Sequence, residues 1–304
     1  MKYLDLAGVQ ASRVAQGCMR IDRLSHEELD TLIRSDLDAG INFFEHADIY
    51  GGSGRCEALF GQVLKADPGL RDRMVIQTKC GIRPGQYDFS KEHILASVEG
   101  SLNRLGTDHV DFLVLHRPDT LVEPEEVAEA FTQLKQQGKV ARFGVSNHNS
   151  LQMALLNKYL PEKLVVIQLQ FGLGHTVLVD SGLNVNMKNE ECVNRDDSVL
   201  DYCRLHDVTI QAWSPLQFGF IKGHFAGNPD YDTLNQKLEE MAAGYGITAT
   251  GLSIAWILRH PAKMQPVVGS VNAERMRQVA LAADVTISRK EWYDLYCATG
   301  KTLP

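Results

Sequence analysis

The most constraining feature of this 304-residue chain is a repeated alternation of short apolar segments with amphipathic helical stripes. Leu29, Leu32, Ile33 and Leu37 recur at helical spacing up to Gly40, and the apolar run INFFEHA follows at once. The same order then repeats along the chain. Apolar strands that alternate with amphipathic helices are typical of a parallel sheet covered by helices on its outer face.

Eight such strand–helix units can be counted. Eight units in a chain of this length predict an α/β fold, a closed (β/α)8 TIM barrel, which needs about 250 residues plus insertions. The surplus predicts an N-terminal β-hairpin (YLDLAG, then ASRVAQ) and long loops after strands 6 and 7, at about 173–197 and 217–247. The second loop carries a predicted extra helix at about 233–243. Because no Pro-, Gly- or Ser-rich linker divides the chain, we expect residues 1–304 to form one domain.

The charge balance argues against a polyanionic partner. The formal net charge is −7 and the pI is about 5.8, so no broad positive field faces nucleic acid or an anionic membrane. The first residues lack a basic segment followed by an apolar one, and nowhere do about 18 apolar residues run together. We therefore expect a cytoplasmic protein that acts on a small molecule, without nucleic-acid or membrane partners.

The cysteines and histidines carry no metal-ligand pattern. The six cysteines form no C-x-x-C pair, which disfavours a zinc cluster, a redox dithiol and a disulfide framework. His46 and His116 also lack a spacing typical of metal ligands. We expect no metal site.

Four polar residues lie at or just after the ends of predicted strands 2, 3 and 4: Glu45, Tyr50, Lys79 and His116. Because parallel strands end at one rim of a barrel, these side chains are expected to converge. A buried ammonium needs a partner, and Glu45 is available for Lys79. A cation beside Tyr50 is expected to lower the pKa of the phenol and make it a general acid, while His116 orients a carbonyl oxygen. The set supplies a proton but no hydride.

Further strand ends suit a flat cofactor that bears an amide. Ser146 and Asn147 follow strand 5, Gln168 lies in strand 6, and the indole of Trp213 offers a stacking face in strand 7. In the eighth unit Ser270, Asn272 and Arg275 lie near a helix start, where free N–H groups favour a phosphate.

Seven segments in order resemble the aldo-keto reductase family, in particular its bacterial predicted oxidoreductases, over essentially the full chain. They are GINFFEHADIYGGSGRCE, QTKCG, VLHRPD, GVSNH, QAWSPL, AWILRHP and VVGSVNAERM. The resemblance implies a reversible, NADPH-dependent reduction of an aldehyde or ketone to an alcohol, with NADH less favoured. It implies that Tyr50 is the proton donor, assisted by Lys79 and Glu45, and that His116 orients the carbonyl. The cofactor contacts that it implies are Met19, Ser146, Asn147, Gln168, Trp213, Ser214, Leu216, Gly269, Ser270 and Arg275.

Among the positions that depart from the family pattern, two bear on the proposed chemistry and cofactor. The family usually has Asp five residues before its tyrosine, where this chain has Glu45, which is one methylene longer. Many members have a lysine where this chain has Gly269, so Arg275 is the remaining candidate for a 2′-phosphate. Two alternatives stay open: a Schiff-base aldolase or lyase with Lys79 as nucleophile, and a catalytically weak NADP-binding sensor. No sequence pattern predicts an oligomeric state.

Overall fold

In the computed structural model, which describes residues 3–219 and 221–303, eight parallel strands close into a barrel in the order β3-β4-β5-β8-β9-β10-β11-β14. The predicted (β/α)8 fold is confirmed. The strands are β1 (Tyr3–Leu6), β2 (Val9–Ser12), β3 (Ala15–Gly17), β4 (Phe43–Glu45), β5 (Val75–Cys80), β6 (Ile82–Arg83), β7 (Gln86–Tyr87), β8 (Val110–Leu115), β9 (Val140–Ser146), β10 (Val166–Gln170), β11 (Thr209–Trp213), β12 (Gln217–Phe218), β13 (Gly223–His224) and β14 (Met264–Val268).

Helices surround the barrel, and several begin with side-chain caps. Ser25 and Glu28 form a capping box at the first helix, as the sequence order Ser-x-x-Glu favours. The helices are α1 (His26–Asp38), α2 (Arg55–Ala66), α3 (Lys91–Leu105), α4 (Pro124–Gln136), α5 (Ser150–Tyr159), α6 (Val177–Leu183), α7 (Val199–Leu205), α8 (Asp232–Tyr245), α9 (Ala249–Leu258), α10 (Ala273–Ala282) and α11 (Arg289–Ala298).

The N-terminal hairpin is confirmed and closes the amino-terminal end of the barrel. β1 and β2 pair antiparallel around Leu6 and Val9, so the second strand starts two residues before the predicted segment. Leu6 packs in one buried cluster with Phe43 and Phe112, which point into the barrel. The hairpin therefore blocks the end of the barrel opposite to the carboxyl ends of the strands.

The predicted long loops after strands 6 and 7 are also confirmed, and α8 matches the predicted extra helix. The first loop contains a helix, α6, that the sequence does not lead us to predict. A second unpredicted helix, α11, starts at a capping box of Ser288 and Glu291 and stacks Trp292 on Trp256 at a centroid distance of 4.8 Å. No single helix within the described ranges has the length and apolarity to span a membrane, although Pro229–Tyr245 and α9, bent by 86°, meet that test as a pair.

A buried carboxyl on α1 predicts an unusual dependence of stability on pH. Asp36 is fully buried, neither oxygen has a hydrogen-bond partner, and burial raises the pKa from 3.8 to about 8. Since the folded state holds this proton more tightly than the unfolded state, the stabilisation is complete below about pH 4 and is lost as the pH rises toward 8.

We therefore expect Asp36→Asn to raise the free energy of unfolding at pH 8 by roughly 3 kcal/mol or more, since each pKa unit is worth about 1.4 kcal/mol. At pH 4 the change should be small. Urea unfolding at both pH values measures this difference. Asp38→Asn on the exposed end of the same helix is the matched control, and an equal gain from both variants would contradict the assignment.

Candidate active site

A cleft of about 820 Å³ opens at the carboxyl ends of the barrel strands. All but one of the predicted site residues line it. Lys79 is the exception, because its side chain is only 1% exposed and lies beneath the floor. The predicted residues in the lining are Met19, Glu45, Tyr50, His116, Ser146, Asn147, Gln168, Trp213, Ser214, Leu216, Gly269, Ser270 and Arg275.

Glu45 connects the polar side chains of the cleft floor to one another. Its Oε1 forms an ion pair with Lys79 Nζ, and it accepts hydrogen bonds from Tyr50 OH at 3.2 Å and from Gln168 Nε2 at 3.2 Å. Lys79 Nζ also donates to the backbone carbonyl of His46 at 2.9 Å. The longer side chain of glutamate therefore reaches both Lys79 and Tyr50 from the end of β4.

The prediction that the pKa of Tyr50 is lowered is wrong. Lys79 Nζ does lie over the phenol ring, 4.7 Å from its centroid. Burial nevertheless raises the pKa of Tyr50 above its ordinary value. The Glu45 carboxylate neutralises Lys79 at the same place, so the phenol faces a pair with little net charge. Tyr50 is therefore a neutral phenol that retains its proton at neutral pH.

His116 stands edge-on to Tyr50, with ring centroids 6.1 Å apart and an interplanar angle of 83°. Burial lowers the pKa of His116 well below its ordinary value, and the charges of Lys79 and Arg117 lower it further. The imidazole is therefore neutral at neutral pH. A neutral imidazole has one N–H, which can donate a hydrogen bond to an oxygen in the cleft.

The loop after Tyr50 turns through glycines in the left-handed region of the backbone. Gly51, Gly52 and Gly54 all have positive φ, and a Cβ on Gly54 would lie 2.3 Å from Nε of Arg104. Arg104 in turn donates to fully buried Glu57 at 2.8 Å. Sequence reasoning missed this ion pair, although an acid on the buried face of α2 was a signal for it. The pair supports the loop that carries Tyr50.

Polar side-chain groups at the ends of β9 and β11 form a connected set. Asn147 Nδ2 donates to Ser146 Oγ at 2.7 Å, and Trp213 Nε1 donates to Asn147 Oδ1 at 3.2 Å. Asn147 adopts a positive φ of 58°, a strained conformation that is enriched at functional sites. These groups provide an indole face and fixed polar atoms on one wall of the cleft, as a nicotinamide ring with its carboxamide requires.

The opposite end of the cleft reaches the N-terminus of α10. Asn272 caps that helix by accepting from the Arg275 N–H at 2.9 Å, and Ser270 Oγ accepts from the Asn272 N–H at 3.2 Å. Gly269 has no atom nearer than 3.8 Å to the position that a Cβ would take. Helix N–H groups, a serine hydroxyl and a guanidinium beside an open backbone fit a phosphate group. Sequence reasoning missed Arg20, which lies at the same end.

Comparison with known proteins identifies the family. Residues 13–296 match the family model described as Aldo/keto reductase family. The chain belongs to the aldo/keto reductase family. It is 39% identical to the uncharacterized oxidoreductase YcsN of Bacillus subtilis, with 98% of each chain covered. It is 38% identical to a 6-dehydroglucose reductase of Agrobacterium fabrum, with 96% of each chain covered.

A solved aldo/keto reductase shares the fold. It comes from Klebsiella pneumoniae and was crystallised in complex with NADP and acetate. The two chains superpose with a TM-score of 0.76 at 25% identity, over 97% of this chain and 94% of the other.

The present chain has a second cavity, of about 430 Å³, beside the main cleft. The two cavities share Arg117, Asn147 and Trp213 as lining residues. The other side chains of the second cavity come largely from the end of β10 and from the segments after β9 and β10, and they include His148, Gln170, His175 and Arg195. The space adjoining the candidate site therefore has a mixed lining, with several polar side chains beside apolar ones such as Leu169 and Leu178.

Proposed function

We propose that this chain reduces an aldehyde or ketone to an alcohol with NADP(H), and that the reaction is reversible. The observation that carries the proposal is the shared Oε1 of Glu45, which contacts both Lys79 Nζ and Tyr50 OH at the floor of the cleft. A phenol held in this way has a fixed place at the floor of the cleft, and its hydroxyl, which donates to Glu45 here, can rotate to donate to a substrate oxygen. The family membership of the chain supports the same chemistry.

The cofactor is NADP(H), which is also named in the Klebsiella pneumoniae complexes. Bound NADPH supplies the hydride. Asn147, Ser146 and Trp213 would hold the nicotinamide end, because they offer polar atoms and an aromatic face on one wall. Ser270 and Arg275 would hold a phosphate at the other end, while Met19, Gln168, Ser214, Leu216 and Gly269 would line the space between them.

Tyr50 would protonate the carbonyl oxygen of the substrate, and His116 would orient that oxygen by a hydrogen bond. The phenol is neutral before the reaction, as a proton donor must be. Lys79 Nζ, 4.7 Å from the ring centroid, would offset part of the cost of burying the phenolate that forms when the proton leaves, although Glu45 cancels much of its charge. Burial excludes water from Lys79 and Glu45, which strengthens this electrostatic effect.

Carbonyl compounds derived from sugars are the first substrates to test. Two relatives, from Agrobacterium fabrum and Novosphingobium aromaticivorans, are named 6-dehydroglucose reductases. The polar side chains in the lining of the cavity beside the cleft offer hydrogen-bond partners for a substrate with several hydroxyl groups. We also keep the predictions that residues 1–304 form one domain and that the protein is cytoplasmic.

A direct assay tests the proposed function. The purified protein is mixed with NADPH and a panel of sugar aldehydes, simple aldehydes and ketones, and loss of the nicotinamide absorbance is followed. We expect turnover with at least one carbonyl of the panel. Binding of NADPH without any turnover above background would instead favour the sensor.

The aldolase alternative requires a reachable, neutral Lys79. Its side chain is 1% exposed, is absent from the cleft lining and is paired with Glu45. This geometry favours the reductase, since a carbonyl carbon would have to enter the floor to form a Schiff base. Borohydride trapping of a carbonyl substrate on Lys79 without NADPH would support the alternative.

The position of Glu45 predicts the effect of shortening it. Glu45→Asp should lower kcat about tenfold, because an aspartate from the same backbone position cannot keep contact with Lys79, Tyr50 and Gln168 at once. Steady-state kinetics with NADPH and the best carbonyl measures the change. A higher kcat for Glu45→Asp would show that the glutamate impairs the site, as the sensor hypothesis requires.

A further inference from the structure

Arg20 brings a second guanidinium to the end of the cleft where Arg275 lies, although the two residues are far apart in the sequence. It follows β3 in the first unit, whereas Arg275 lies in the first turn of α10 in the eighth unit. β3 and β14 are hydrogen-bonded neighbours, with Val268 opposite Gln16, so barrel closure brings the two segments together. Both arginines line the cleft.

The Arg20 side chain lies against Gly269. Its Nη1 donates to the Gly269 carbonyl oxygen at 3.4 Å, which is its one side-chain hydrogen bond among the described residues. A Cβ built on Gly269 would have the same Nη1 as a nearest atom, at 3.8 Å. The guanidinium therefore occupies the side of the cleft that a side chain at position 269 would otherwise fill.

The segment that carries Arg20 is fixed in place. Ile21 is 1% exposed and anchors the short 3₁₀ turn that follows, in which the Arg23 N–H donates to the Arg20 carbonyl at 3.3 Å. Before it, the Cys18 N–H donates to the Glu45 carbonyl at 2.8 Å, and Cys56 Sγ donates to the carbonyl of Met19. The backbone that carries Arg20 is therefore already ordered, so less conformational entropy of the protein is lost when Arg20 binds a ligand.

The charges of the two arginines act on the same neighbour. His224, on the β12–β13 hairpin, has a pKa lowered first by burial, then by Arg20 and then by Arg275. Both guanidiniums therefore direct positive potential toward one region of the cleft. Two guanidiniums directed at one region match a phosphate monoester, which concentrates a charge of about −1.5 to −2 on one phosphorus at pH 7, better than a pyrophosphate, which spreads its charges over two phosphorus atoms.

We propose that Arg20 is a specificity-determining residue that binds the 2′-phosphate of NADP(H) together with Arg275. The inference rests on the proposed function, because it assigns a role at the same cofactor cleft. Arg20 would make the enzyme prefer NADPH to NADH, since only NADPH carries that phosphate monoester.

Equilibrium binding to the full chain tests the assignment without any turnover. NADPH, NADH and adenosine 2′,5′-bisphosphate are titrated by calorimetry into the wild type and Arg20→Met. We expect the dissociation constants of NADPH and the bisphosphate to rise about 30-fold, as for loss of one charge-assisted contact, and that of NADH to change less than about twofold. Equal weakening of NADPH and NADH, or no change in either, would overturn the proposal.

Two further variants separate charge from shape. Arg277→Met removes the same charge from an exposed part of α10, where Arg277 pairs with Glu274, and should leave all three dissociation constants within about twofold. Adding Gly269→Lys to Arg20→Met places a charge in the space that Arg20 vacates, and should recover about tenfold of the NADPH affinity. A loss in Arg20→Met that the added lysine does not recover would assign the effect to the shape of the turn and overturn the proposal. If the wild type bound neither nucleotide, the proposed function itself would fail, which is a different result.

Discussion

Tyr50→Phe is expected to lower kcat about 10³-fold while the dissociation constant of NADPH changes less than about threefold, because general acid catalysis contributes about 10² to 10⁴ in rate. The substitution removes the hydroxyl that donates to Glu45 Oε1 and leaves the aromatic ring in place. Glu45 keeps its ion pair with Lys79 and its hydrogen bond from Gln168, so the floor of the cleft should stay folded. Steady-state kinetics and a binding titration on the same preparation measure the two quantities.

The control for this variant is Tyr87→Phe, which removes a phenol hydroxyl from an exposed strand outside the cleft. It should leave kcat within about twofold of the wild type. Full activity of Tyr50→Phe would contradict the role of Tyr50 as proton donor. An equal loss of NADPH binding and of kcat would instead assign Tyr50 to holding the cofactor.

The arrangement of the floor could be predicted because it follows from strand order. Glu45 and Lys79 lie at or near the carboxyl ends of adjacent parallel strands, and His116 follows the next, so barrel geometry alone brings them to one rim. Which side-chain atoms contact one another could not be predicted, because this depends on the length and rotamer of each side chain. The added methylene of Glu45 departs from the family pattern, and only the structure shows that its Oε1 contacts Lys79, Tyr50 and Gln168 together.

Properties that depend on burial or on barrel closure were not accessible from the sequence. The pKa of Tyr50 was predicted in the wrong direction, because the cost of burying the phenolate exceeds the effect of a cation that Glu45 already neutralises. The contact of Arg20 with Gly269 joins residues 249 positions apart and exists only once β3 pairs with β14. By contrast, α11 was missed although its signals were local, a capping box followed by Trp292 and other apolar residues at helical spacing.

Lys79→Met should lower the free energy of unfolding by about 3 to 5 kcal/mol and also abolish turnover. A second substitution can separate the contribution of Lys79 to stability from its contribution to catalysis. The single substitution leaves the Glu45 carboxylate buried without its cation, and an uncompensated buried charge is strongly destabilising. Glu45→Gln combined with Lys79→Met removes both charges, so it should recover most of the lost stability, as urea unfolding of each variant would measure. Activity should stay lost in the double variant, because no cation then faces the phenolate of Tyr50. Recovery of both stability and turnover would show that Lys79 serves only to neutralise Glu45.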